Sequence, residues 1–182
     1  MMNFRDTIFP LGRFEIKGKL RVTDPCYKAD IWCAGALDAV SGTWEAGIIY
    51  VNNAVAVLAA RHESSPLALE AKTINFGAEA RKEQGSADWA VPAFRVCVDS
   101  GQAGLFDDAS YSVRNGRMDG DWYENVCNIT LSDTAGGVLE DGAVSRAGYG
   151  DGGYVCVYHK NEAELADFVF LLFMDDKGNE DL

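Results

Sequence analysis

The first stretch of chain with a clear period alternates polar and apolar side chains: Arg13-Phe14-Glu15-Ile16-Lys17, then, after Gly18, Lys19-Leu20-Arg21-Val22-Thr23. Period two is the signature of a half-buried strand, so two strands are predicted over 13–17 and 19–23. Asp24-Pro25 ends the second in a turn, because proline has no N–H to donate to a ladder.

Two longer apolar runs, 43–51 and 54–60, flank Asn52-Asn53. Asparagine tolerates positive φ better than most residues, so this pair predicts a hairpin turn. Residues 93–99 read as a further strand. Tyr154 to Tyr158 and Leu165 to Met174 read as a last hairpin, with the turn at 161–164. Residues 63–90 are polar, alanine-rich and poorly periodic, a long excursion with room for a short helix. A helix is predicted from Asp121 to Leu131, where Trp122, Val126 and Ile129 fall at i, i+4 and i+7 and Asp119 or Asp121 can cap the start. The pattern is that of the α+β class: mostly antiparallel β, as a sandwich or a strongly curved sheet, with one or two short helices.

No repeat or linker divides the chain, and its 182 residues read as a single domain over 1–182. A chain of this size buries about 70% of its unfolded surface and needs no disulfide or metal to fold. Phe168 to Met174, the longest apolar run, is far short of the ~20 residues of a membrane span. The opening residues carry no signal-peptide core, so a cytoplasmic location is expected. Five scattered cysteines, an odd number, fit reduced thiols better than a disulfide framework.

Charge changes the picture most. The net charge is −12, which disfavours direct contact with nucleic acid and favours attraction to basic surfaces. Acids and bases nearly balance over residues 1–40, whereas only Arg114 and Arg117 oppose nine acids between 97 and 142. Asp107, Asp108, Asp119, Asp121 and Glu124, with Tyr111, Trp122 and Tyr123 among them, are therefore the candidate partner-binding residues. Carboxylates so concentrated can take the place of phosphates at the Lys and Arg of a nucleic-acid enzyme, and aromatics are common interface anchors. The competing reading is a solvated acidic face with the aromatics in the core.

Catalytic chemistry has weaker support. Asp99-Ser100-Gly101-Gln102-Ala103-Gly104, followed by Asp107-Asp108, could hold a hard cation through oxygens, yet its spacing matches no calcium loop. Ser100 lacks the Gly-x-Ser-x-Gly setting of a hydrolase elbow. Gly148-Tyr149-Gly150-Asp151-Gly152-Gly153 leads into a strand, whereas phosphate loops lead into a helix. His62 or His159 could pair with Cys26 or Cys127 as a nucleophile dyad. Cys26 and Cys33 stand wider apart than the cysteine pairs of structural zinc sites. No catalytic residue, metal ligand or cofactor is assigned. A small metal-dependent or cysteine hydrolase and an acidic immunity-type binding module remain the alternatives to a macromolecular inhibitor.

Four segments carry a resemblance: Gly18-Lys19-Leu20-Arg21-Val22-Thr23-Asp24-Pro25, Val40-Ser41-Gly42-Thr43-Trp44-Glu45-Ala46, Val98-Asp99-Ser100-Gly101-Gln102-Ala103-Gly104-Leu105-Phe106-Asp107 and Gly150-Asp151-Gly152-Gly153-Tyr154. In this order the chain resembles an uncharacterised bacterial and phage family, which implies a shared β-rich fold and no activity. Within that group its length and N-terminal text resemble the type II anti-CRISPR proteins, small inhibitors of Cas9. That resemblance implies a partner, Cas9 alone or with its guide RNA, and inhibition of target DNA binding or cleavage. It transfers no catalytic role to any residue.

Overall fold

The computed structural model describes residues 2–5, 7–82, 88–114 and 121–180. In chain order the elements are β1 (Phe9–Ile16), β2 (Lys19–Thr23), β3 (Gly35–Asp38), β4 (Gly42–Val51), β5 (Ala54–His62), α1 (Ala71–Ala80), β6 (Trp89–Ala90) and β7 (Val96–Val98). They continue with β8 (Gln102–Asp107), α2 (Asp108–Arg114), α3 (Asp121–Thr130), β9 (Gly136–Leu139), β10 (Gly142–Arg146), β11 (Gly152–Lys160) and β12 (Ala166–Leu172).

These strands form two sheets. One runs β1-β4-β5-β12-β11, with β6 and β7 both on the far edge of β11; the other runs β3-β2-β8-β10-β9. Every ladder within them is antiparallel. The described residues are mostly antiparallel β with three short helices, an α+β fold.

The alternation along the strands sorts side chains into separate cores. In β12, Val169 and Leu171 join Leu20, Leu105 and Trp44 between the two sheets, while Phe168, Phe170 and Leu172 point the other way onto Ile74 and Ala78 of α1. The second sheet is covered likewise: Ala143 faces the inter-sheet core, and Val144 meets Phe106, Tyr111 and Val126 beneath α2 and α3. Each sheet is thus packed on both faces, which is why β8 and β12 are buried along their whole length. Burial at ~25 cal/mol per Å² of apolar surface makes the central core the main stabilising term.

The predicted strands over 13–17, 19–23, 43–51 and 54–60 lie within β1, β2, β4 and β5, apart from Lys17 at the end of β1. Asn52 (φ 51°) and Asn53 (φ 63°) turn the β4–β5 hairpin in the left-handed region, as their residue type suggests. Of the strand predicted over 93–99 only Val96–Val98 pairs. The excursion at 63–90 contains helix α1, and α2 brings the helices among the described residues to three, one more than expected. Among the described residues, no helix is long and apolar enough to cross a membrane.

Candidate functional site

The two glycine-rich segments that stand apart in sequence meet in space. Gly101 sits at φ +70° and Gly150 at φ +140°, where side chains are disfavoured, and a Cβ built on Gly101 would lie 3.8 Å from the Gly150 Cα. Ala147 N–H donates to the Gly101 carbonyl at 3.0 Å, so the segments are also joined by a backbone hydrogen bond. Between them and the C-terminal end of α3 lies a cleft of about 480 Å³, lined by Ser100, Gln102, Cys127, Thr130, Arg146 and Tyr149 among others.

Asp24 organises one wall. Its carboxylate is fully buried and accepts four hydrogen bonds: from Asp99 N–H and Ser100 N–H on Oδ2, and from the Ser100 hydroxyl and Cys26 N–H on Oδ1. The Asp-Pro turn after β2 is thereby locked to the Asp-Ser-Gly turn before β8. The bonding continues into the cleft. Gln102 Nε2 donates to Ser100 Oγ at 3.4 Å and reaches Cys127 Sγ at 3.8 Å, and the Thr130 hydroxyl donates to Gln102 Oε1 at 2.7 Å. Arg146 donates from Nε to the Thr130 carbonyl at 2.9 Å, tying β10 to the last turn of α3. On the opposite wall, Glu180 accepts from Tyr149 N–H at 2.7 Å and from the Tyr154 hydroxyl at 3.3 Å.

Hydrogen bonds hold the cleft's polar side chains in place, and the Cys26 thiol behind Asp24 is not set up as a nucleophile. Burial, then the hydrogen bond to Asp24, pushes the Cys26 thiol up to about 12, far from the thiolate that nucleophilic chemistry needs. Neither histidine bonds a cysteine. His62 Nδ1 accepts from Ser64 N–H at 3.1 Å, so the proton is on Nε2, which donates to the Ser41 carbonyl at 3.1 Å. His159 Nδ1 lies 2.7 Å from Asp167, beside Trp89. Among the described residues, no group of three or more His, Cys, Asp or Glu side chains is placed to hold a metal ion.

The candidate partner-binding residues do not share one face. Asp107 is buried: Oδ1 accepts from Lys17 N–H at 2.7 Å and Oδ2 from Ser110 N–H at 3.0 Å, so the carboxylate caps the start of α2 and pins the β1–β2 turn. Tyr111 is buried as well, its hydroxyl donating to the Tyr27 carbonyl and its ring packed with Phe106 and Trp122. These two were expected on an interface and instead hold the helical layer in place. Their burial follows from β8, whose outer face is covered by α2 and α3.

Asp108 is half-buried and pairs with Arg21 Nε at 2.6 Å. Trp122 and Tyr123 are half-buried, Trp122 on Phe106 and Tyr123 against the Cys127 thiol. Burial, then Cys127, pushes the Tyr123 phenol up. Asp121 and Glu124 stand exposed in the first turn of α3, where negative charge also suits the helix dipole. Asp119 lies outside the described residues. Sequence reasoning missed Asp24, Gln102, Thr130 and Arg146 as neighbours, because nothing local signals a contact across more than 70 residues such as that of Asp24 with Ser100.

No protein-family model, no curated protein and no solved structure matches this chain.

Proposed function

We propose that this chain is a protein-binding inhibitor of Cas9, engaging Cas9 alone or with its guide RNA in the cytoplasm of a bacterial host. It blocks target DNA binding or cleavage. The observation that carries the reading is the outward placement of Asp121 and Glu124 on α3, next to the half-buried aromatics Trp122 and Tyr123. The net charge of −12 and the resemblance of the N-terminal text to type II anti-CRISPR proteins support it. Cas9 holds its RNA–DNA heteroduplex and reads its PAM with Lys and Arg, so an acidic surface competes for either. The same charge keeps the chain off DNA itself.

The test is a cleavage assay in which purified protein is titrated against Cas9–guide RNA before target DNA is added. Stoichiometric loss of cleavage, relieved by excess Cas9, is the expected result. Undiminished cleavage across several Cas9 orthologues would remove this function.

The meeting of the two glycine-rich segments favours a second reading, a small polar ligand in the 480 Å³ cleft. Native mass spectrometry of protein purified gently from bacterial cells would show the added mass, and a bare chain would count against it.

A further inference from the structure

Beyond the proposed inhibition, and independent of it, we propose that Cys33 and Cys97 are a disulfide-forming pair, closed by a small-molecule disulfide such as oxidised glutathione. Cys33 belongs to the segment that follows the Asp24-Pro25 turn and leads into β3; Cys97 is the middle residue of β7. Cys97 N–H donates to the Cys33 carbonyl at 3.1 Å, so the two backbones touch at this point. A direct N–H···O bond keeps the two backbones close, on the scale of the ~4.4–6.8 Å between Cα atoms that a disulfide spans. The Cys33 thiol is among the neighbours that raise the Cys97 thiol, in keeping with side chains that lie near each other.

The other three cysteines lack such a partner. Cys156 is buried in the inter-sheet core, Cys26 is held beside Asp24 and Ser100, and Cys127 faces Gln102 and Tyr123. Cys33 is 4% exposed and Cys97 half-buried, which fixes the order of events. The Cys97 thiolate attacks one sulfur of the oxidised glutathione and expels a glutathione thiolate, leaving a mixed disulfide on Cys97. The Cys33 thiolate then attacks the Cys97 sulfur and expels the second glutathione. The two protons lost from the cysteines end on the two glutathione thiols, and the two electrons that leave the protein reduce the oxidant. Burial, then the neighbouring Cys33, raises the Cys97 thiol, so the first attack is slow at neutral pH and is best driven at mildly alkaline pH.

Closure would tie the segment carrying the exposed Trp32 to β7, just ahead of the Asp99–Ser100 turn. The experiment treats the folded wild-type protein with oxidised glutathione, alkylates the remaining thiols, and maps the cysteines by peptide mass spectrometry without reduction. A Cys33–Cys97 linked peptide, lost on reduction, is expected, with Cys26, Cys127 and Cys156 alkylated or buried but unlinked. In a Cys33→Ser variant the same treatment should leave one glutathione on Cys97, since the resolving thiol is gone. A wild-type protein in which Cys97 keeps its glutathione while Cys33 stays free would overturn the pairing. So would a disulfide between any other two cysteines, or both thiols remaining free after prolonged treatment.

Discussion

The Ser100 hydroxyl donates to Asp24 Oδ1 at 2.6 Å, joining the turn after β2 to the turn before β8. Two backbone N–H groups, of Asp99 and Ser100, fill the other oxygen of the same carboxylate. The pair explains why an Asp-Pro and an Asp-Ser-Gly segment occur in one chain: the first supplies the acceptor that lets the second turn sharply inside the fold.

Asp24→Ala should therefore cost roughly 3–5 kcal/mol, because it strips a buried acceptor from four donors at once. Ser100→Ala should cost only about 1–2 kcal/mol, since the backbone bonds to Asp24 survive. Urea denaturation of the two variants and of the double variant measures this. The double variant should lose less than the sum, as both substitutions break the same bond.

Gly77 lies in α1, where replacing glycine with alanine normally stabilises by about 0.5–1 kcal/mol. Here a Cβ would come within 2.5 Å of the Trp89 ring, which is itself wedged against His159, Phe168 and Phe170. Gly77→Ala should be destabilising by roughly 1–3 kcal/mol, packing outweighing propensity. A raised melting temperature would contradict the close approach of helix and ring.

Asn53 turns the β4–β5 hairpin at φ 63°, where glycine carries no steric penalty. Asn53→Gly should leave stability unchanged or raise it by about 0.5 kcal/mol, while Asn53→Val should lower it by roughly 1–2 kcal/mol. Thermal unfolding of both variants separates a turn requirement from a general tolerance of loops.

Hydrogen bonds from Arg13 and then Arg61 hold the Glu45 carboxyl below its ordinary value. A depressed acid stabilises the fold above its unfolded value of about 4.3 and loses that contribution as pH falls through the folded value. The wild type should thus lose more stability than Glu45→Gln between about pH 5 and pH 3. The difference at neutral pH should be about 0.5–1 kcal/mol, because Arg13 is largely exposed and its pair screened. Parallel stability–pH curves for the two proteins would refute the assignment.

Asp121→Lys with Glu124→Lys should weaken Cas9 inhibition on the order of tenfold at low salt, with the fold retained and stability lowered by about 1–2 kcal/mol, since both side chains face solvent in the first turn of α3. Inhibition by the wild type should weaken as salt rises. Asp107→Lys should instead destabilise the protein itself, because it removes the cap of α2 and the partner of Lys17 N–H. Undiminished inhibition by the first variant would detach the activity from the acidic helix.

Strand identity was legible wherever one residue type dictated backbone geometry. Alternation marked β1 and β2, and the paired asparagines marked the β4–β5 turn. Among the strands that escaped, β8 and β10 carry glycine and alanine between two covered faces, so they show neither alternation nor a β-branched run. The acidic segment misled for a related reason. Charge in a sequence does not say which carboxylates are spent on backbone donors, and Asp107 is spent.

By itself, then, the sequence determined the α+β class, the predominance of antiparallel β, and the turns that need asparagine, glycine or proline, because each of these follows from local sterics and side-chain period. The tertiary structure alone decided that both sheets are covered on both faces, that Asp24 receives Ser100, that two glycine-rich segments enclose one cleft, and that the Cys97 backbone meets that of Cys33. Each of these joins residues far apart in the chain. Only the closing of the two sheets over a common core, driven by apolar burial and not by local preference, brings them together.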